Sequence, residues 1–298
     1  MILIVGTVPT EDLDLVQGKV VKVGDSLKVQ DYAFPCGQGT GAMISACLAV
    51  TSALGVEPPH ALLAGDIGRG QGTRRLYQYL IEHVRELKPR ILALHYCLPI
   101  VRLIQKLCEA LEYCQPRPLL VADAGAMYAA KAGGMAPQFD IFTPDPSEMA
   151  FLADPEAAHP AYVSRHLFDT ETQQVPELIK KAYTNGGAAK ILLVKGAIDY
   201  IATEGRVMAR IEEPCVPELE CIGGTGDTIT GMIVALTGAG WDPLKAAIIS
   251  AQINRLAGKM AGATPATPVA RLIEYIPVVL KAHNPNYLER RFLQYDRN

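Results

Sequence analysis

The feature that most constrains this chain is a recurrence. Short apolar runs, each closing on a glycine or a polar residue, alternate with helix-length segments. The runs are Ile2–Gly6, Ala61–Gly65, Ile91–Tyr96, Leu119–Ala124, Ile141–Pro144 and Ile191–Gly196. A run that is apolar on both of its faces is a strand covered from above and below, as in a parallel sheet with helices on both sides. Strand–helix alternation of this kind predicts one doubly flanked sheet. Ligands of such sheets bind beyond the carboxyl ends of the strands. The residues at those ends are Gly65-Asp66, His95, Asp123, Thr143 and Lys195-Gly196, and they are the first candidates for chemistry.

Composition narrows the class. With 49% hydrophobic residues in 298, the chain can bury a large core. The net charge of −3 comes without a long run of one sign, which argues against a nucleic-acid surface or a polybasic membrane patch. No apolar run reaches the roughly 18 residues of a membrane span. The opening Met1–Gly6 lacks a basic leader and reads as a first strand. Seven cysteines without a C-x-x-C pair fit reduced thiols in a cytoplasmic protein. With no repeat and no linker-like segment, residues 1–298 are expected to form a single domain.

Two further strand pairs interrupt the alternation. Val20–Val29, around Gly24-Asp25, predicts a hairpin that is either a lid or a sheet edge; Tyr200–Thr203 and Val207–Ile211 predict another. Helices are expected from Leu98 to Tyr113, from Asp242-Pro243 to Leu256, with Asp242 as cap, and over Val269–Leu280, before a polar tail at Tyr287–Asn298.

Two glycine-rich loops run into helices. Pro35-Cys36-Gly37-Gln38-Gly39-Thr40-Gly41 precedes Ala42–Val50, and Gly223-Gly224-Thr225-Gly226-Asp227 precedes Ile229, Met232, Ile233 and Leu236. The last four share one helical face. Free amides at a helix start, uncovered by side chains, suit a phosphate. Asp227 is then either a helix cap or a base placed where a hydroxyl meets a phosphoryl group. The segment is not a P-loop, because no Lys follows its glycines.

Together these segments resemble the ribokinase-like superfamily. Val23–Ser26 with Pro35–Ala42 resembles the substrate-side loop of ribokinase-type sugar kinases, and Gly65–Arg69 the segment after it. The C-terminal half resembles the ADP- or ATP-dependent NAD(P)H-hydrate dehydratases, which share the fold with vitamin kinases. The motifs are Val121–Met127, Thr143-Pro144-Asp145-Pro146-Ser147-Glu148, Lys195-Gly196-Ala197 and Gly223–Asp227. The resemblance implies a three-layer α/β/α fold with a central, mostly parallel sheet, and an enzyme that uses ATP or ADP with Mg²⁺. It implies Asp227 as catalytic base, and Lys195, Gly196, Ala197, Ile198, Asp199, Gly223, Gly224, Thr225 and Gly226 around the nucleotide. Gly39, Gly41, Ala42, Gly65, Asp123 and Asp145 fall on the substrate side, with Glu148 near Mg²⁺ through water. The acceptor would be a small molecule, either an NAD(P)H hydrate or the alcohol of a sugar or vitamin, and the protein a homo-oligomer.

The chain departs from those patterns at Asp145, where the dehydratases place His and the kinases the Asn of Asn-x-x-Glu. Several residues also have structural readings. Read structurally, Asp145 serves a turn, Glu148 caps the helix after Pro146, and Lys195 is a solvated edge charge. His95 reads as a structural histidine, and Cys36 and Cys221 as small packing residues.

Overall fold

The computed structural model describes residues 1–157 and 174–282; the polar tail lies outside them. The strands are β1 (Ile2–Val8), β2 (Val16–Val23), β3 (Ser26–Val29), β4 (Tyr32–Pro35), β5 (His60–Gly65), β6 (Ile91–His95), β7 (Leu119–Ala122), β8 (Ile141–Phe142), β9 (Ile191–Val194), β10 (Asp199–Thr203) and β11 (Arg206–Ile211). The helices are α1 (Thr40–Leu54), α2 (Gln71–Leu87), α3 (Val101–Leu111), α4 (Gly125–Ala132), α5 (Pro146–Ala153), α6 (Val175–Thr184), α7 (Thr225–Gly238), α8 (Pro243–Ala261) and α9 (Val269–Ala282).

All the strands join one sheet in the order β11-β10-β9-β8-β7-β6-β1-β5-β2-β3-β4. From β9 across to β5 the pairing is parallel, and only the flanking hairpins are antiparallel. Alternation along each central strand builds the layers. Ile2 and Ile4 of β1 enter a core under α1, α7, α8 and α9, while Leu3 and Val5 enter the opposite core, under α2 to α6. The fold is thus the three-layer α/β/α arrangement. Because β1 lies between β5 and β6, the chain leaves it in both directions. A crevice opens at such a reversal, beyond the carboxyl ends.

The N-terminal hairpin is longer than expected. The first half of β2 pairs with β5, and its second half pairs with β3 instead. This exposes Val21 and Val23 on a ribbon that β4 completes at the sheet edge.

Helix α7 departs from the one-faced pattern. Every residue from Thr228 to Thr237 is buried, because the helix is packed between α1 and α8 over the sheet. Gly231 permits this, since a Cβ there would lie 2.1 Å from the Met43 carbonyl oxygen of α1. Asp242 caps α8 as expected, accepting from the Lys245 N–H at 3.0 Å. None of the described helices is long and apolar enough to cross a membrane.

Candidate active site

A cleft of about 590 Å³ opens beyond the carboxyl ends of β6 to β9, lined by Asp123, Asp145, Glu148, Lys195, Gly224 and Asp227 among others. Helix α7 points its first turn into it. Gly224 occupies the cap position with φ +98, a conformation glycine adopts without strain, and no side chain caps the helix there. Asp227 therefore does not cap α7. It sits in the first turn, where helix amides have no internal acceptor, and its side chain faces the glycine loop before α1.

Each oxygen of Asp227 is held. Oδ2 accepts from the Gly39 N–H at 2.8 Å, and Oδ1 lies 2.9 Å from His95 Nε2. The glycine loop before α1 and the first turn of α7, distant in the chain, thus meet on one carboxylate. Burial alone would raise the Asp227 carboxyl. The hydrogen bond and charge of His95, the charge of Lys195 and the Gly39 amide outweigh burial and hold it below its ordinary value.

Lys195 is no edge charge, because β9 lies inside the sheet and the side chain is 14% exposed. Its Nζ donates to Asp123 Oδ2 at 2.9 Å, and the same oxygen accepts from Thr230 Oγ1 at 2.9 Å. Burial would lower the Lys195 ammonium, but the charges of Asp123 and Glu148 raise it well above its usual value. It is a permanent cation aimed along the cleft. The ligand atoms of His95, Asp123 and Asp227 lie within 4.8 Å of one another, a spacing that could hold a metal ion. The Lys195 ammonium already supplies the cation for that cluster.

Asp145 and Glu148 form a capping box on α5. Asp145 Oδ1 accepts from the Glu148 N–H at 2.8 Å, and Glu148 Oε2 accepts from the Asp145 N–H at 2.8 Å. Both also line the cleft, and Glu148 Oε1 accepts from the Tyr128 hydroxyl at 2.7 Å. Burial first, then the charges of Asp145 and Asp123, push the Glu148 carboxyl up to about 8. Three carboxyl groups, Asp123, Asp145 and Glu148, crowd around one lysine here, and carboxylate oxygens are the donors that a hydrated divalent cation takes.

The loop after β9 is shaped by a pair the motifs did not reveal. Arg255 of α8 donates from Nε to Asp199 Oδ2 at 2.8 Å, and from Nη2 to the Gly196 and Ala197 carbonyls, both at 2.9 Å. A lone Arg in the Ala- and Ile-rich stretch of α8 was the available signal. His95 was also missed as a partner of Asp227. Its place at the end of a buried strand was visible, but its neighbour 132 residues away was not. Some anticipated residues do not reach the cleft. Ala42 and Gly65 are buried, the former under Gly224 and the latter against the Thr10 carbonyl; Gly41 packs on the Pro35 carbonyl and Ile198 on the core. Gly223 abuts the Gln38 side chain. All seven cysteines are free; Cys36 is buried, whereas Cys221 is exposed and is not a packing residue.

Residues 101–278, well over half of the chain, match the family model described as NAD(P)H-hydrate dehydratase. The chain belongs to that family. An uncharacterised protein of Methanocaldococcus jannaschii is 34% identical over 239 residues, covering 80% of this chain and 98% of that one. The bifunctional NAD(P)H-hydrate repair enzyme of Hyperthermus butylicus is 37% identical over 109 residues, 36% of this chain but only 19% of its own length. An ADP/ATP-dependent NAD(P)H-hydrate dehydratase from Bacillus subtilis, co-crystallised with ATP and Mg²⁺, superposes with a TM-score of 0.54 at 15% identity, covering 94% of this chain and 91% of that one. The fold is ribokinase-like, and members of this dehydratase family and their kinase neighbours are enzymes.

Proposed function

We propose that the protein is a nucleotide-dependent phosphoryl-transfer enzyme of the NAD(P)H-hydrate dehydratase type, repairing hydrated nicotinamide cofactors. One observation carries the reading: Asp227 stands in the first turn of α7 with its carboxylate held between Gly39 and His95, at the rim of the cleft that Lys195 enters. ATP or ADP would lie along Lys195, Gly196, Ala197 and Asp199, its terminal phosphate against the amides of Gly224, Thr225 and Gly226. Ile198 and Gly223 support those loops from behind. Asp123 and Asp145 fall toward the acceptor, and Gly39 borders it through its backbone, whereas Gly41, Ala42 and Gly65 are buried in the packing and do not touch it. Glu148 would hold Mg²⁺ through water. When bound, Mg²⁺ neutralises phosphate charge.

Asp227 takes the proton of the acceptor hydroxyl as its oxygen bonds to phosphorus and the nucleotide leaves one phosphate shorter. Lys195 and the α7 amides balance the charge that spreads over the phosphoryl oxygens. In a dehydratase the new C–O–P linkage then breaks at C–O; phosphate departs, a proton is lost from the ring, and the nicotinamide double bond returns. In a kinase the phosphate stays. Asp145 stands where the dehydratases place His and the kinases Asn, so an alcohol kinase is kept as the second reading.

The test is to supply NADH hydrate with Mg²⁺ and either ATP or ADP and to follow the return of reduced-nicotinamide absorbance. Asp227→Asn should slow that return by about 10² to 10⁴ while nucleotide still raises the melting temperature. A stable phosphorylated alcohol in place of regained absorbance would transfer the reading to a kinase; undiminished turnover in the variant would remove Asp227 from the chemistry.

A further inference from the structure

Tyr96 follows the buried His95 at the end of β6, yet it is 51% exposed. It is the one aromatic among the described residues that line the cleft. Tyr113, the other strongly exposed tyrosine, is covered by the Arg85 guanidinium, 5.6 Å from its ring centroid. Among the described residues no cation lies over the Tyr96 ring. An apolar ring face therefore stands open on a wall otherwise set with the carboxyl groups of Asp123, Asp145 and Glu148. The backbone beneath it is held against preference. Five described residues other than glycine have positive φ, and the two that line the cleft are Tyr96, at +51, and Ala124, after the neighbouring β7. Thr7 Oγ1 donates to the Tyr96 carbonyl at 2.6 Å and fixes the bend. For a bulky side chain this conformation is strained, and such strain collects at ligand clamps. Ala124 adds only a methyl, which leaves room beside the ring.

The ring is supported by the two groups that hold Asp227. A Cβ built on Gly39 would lie 3.5 Å from Tyr96 Cε2, an ordinary contact, so the Gly39 backbone borders the ring. The His95 ring is 4.6 Å away, tilted by 52°. Gly39 and His95 are the partners of the two Asp227 oxygens. A molecule lying on Tyr96 would thus have its rim at the carboxylate. Lys195, at the end of β9, is three strands from β6, or ~14 Å at about 4.8 Å per strand. Tyr96 therefore belongs to the acceptor side of Asp227 and not to the nucleotide loop.

We propose that Tyr96 is the platform on which the acceptor stacks, and that it selects a hydroxyl borne by a flat, unsaturated nitrogen heterocycle over one borne by a saturated sugar. The proposal deepens the reading of Asp227 as base and rests on it. Aromatic faces take flat partners in offset stacks, and an acceptor so placed turns its hydroxyl edge-on to Asp227. A hydrated nicotinamide meets both demands. Its conjugated N–C=C–C=O stretch is flat, and its hydroxyl sits on the ring carbon next to the nitrogen. A saturated sugar offers no π face.

Calorimetry with NADH hydrate and no nucleotide reads the platform without turnover. Tyr96→Asn removes the face but accepts the positive φ, so it should melt no earlier than the unmodified protein. Its Kd for NADH hydrate should rise by about tenfold or more. Tyr96→Phe keeps the face and should stay within about twofold. The Kd for ATP should be the same in all three. An unmoved Kd for NADH hydrate in Tyr96→Asn overturns the proposal, and an earlier melt with that Kd unmoved makes Tyr96 a packing residue. A Phe variant as weak as the Asn one also overturns it, because the hydroxyl and not the face would then hold the ligand. A loss confined to ATP overturns it by giving the ring to the nucleotide. In turnover with ATP or ADP and Mg²⁺, kcat/KM for NADH hydrate or a hydroxymethylpyridine should exceed that for a hexose by about tenfold or more. A preferred hexose overturns the platform and leaves phosphoryl transfer standing. A hydroxymethylpyridine phosphorylated with no absorbance regained from NADH hydrate does the converse: the dehydratase reading falls and the platform stands.

Discussion

Two carboxylates on the walls of one cleft each meet a basic side chain at hydrogen-bond distance, yet they behave oppositely. Asp227 meets His95 at 2.9 Å, and Asp199 meets Arg255 at 2.8 Å. The Asp227 carboxyl is held below its ordinary value. Burial raises that of Asp199, and Arg255 offsets only part of the effect. The side chain of Asp199 is 4% exposed and that of Asp227 13%, so the first is sealed and the second keeps a path to the cleft. Arg255 is also consumed by the Gly196 and Ala197 carbonyls, and Arg never releases its proton. Asp199–Arg255 is a strut beneath the loop after β9; Asp227–His95 borders the open cleft.

The contrast breaks most readily at Asp227. Its Asn variant should lose about 10² to 10⁴ in rate with little change in melting temperature. Arg255→Met should do the reverse first. It strands a buried acid, so urea melts should show a loss of about 3–5 kcal/mol, and the slackened loop should weaken nucleotide binding. If Arg255→Met melts like the unmodified protein, the strut is not one. Gly231→Ala tests the support behind both pairs by pressing a methyl into the Met43 carbonyl of α1. Overpacking of this kind costs about 1–3 kcal/mol, measurable in the same melts with nucleotide affinity as control.

The smallest effect is in pH. The folded-state pKa of Asp227 is depressed, so its contribution to stability is present above the ordinary carboxyl range and is lost as pH falls through the lower folded value. The raised carboxyl of Asp199 has the opposite sign: the folded state binds its proton more tightly, and stability is withdrawn as pH rises past the ordinary value. Stability measured from pH 6 down to 3 should therefore fall less steeply in Asp227→Asn than in the unmodified chain. An equal slope in the two would show that the Asp227 carboxyl is not depressed.

The sheet was legible because its strands are buried on both faces and announce themselves as unbroken apolar runs; Ile91–Leu94 and Ile191–Val194 needed nothing more. The glycine-rich start of α7 was legible for a related reason, since steric freedom at Gly224 leaves a trace in residue type. What could not be read was pairing across the fold. His95 and Arg255 each sit in apolar surroundings, and nothing local distinguishes a histidine that grips a carboxylate from one that fills space. Of the alternatives for Asp145 and Glu148, the structure shows the structural one, since the two cap α5, and it also sets both on the cleft. The one-faced pattern assigned to α7 missed its burial because, Val234 apart, its remaining buried positions are Thr, Gly and Ala, small enough to pass for surface while packing against α1 and α8.

The bond from Gly39 to Asp227 has an architectural consequence. The stretch that matches the family model starts at residue 101, after Gly39 and His95. Half of what grips the carboxylate therefore belongs to a portion of the chain outside the recognisable signature. A relative could exchange that opening portion wholesale, keep its corner for the nucleotide, and deliver a different alcohol to the same acid.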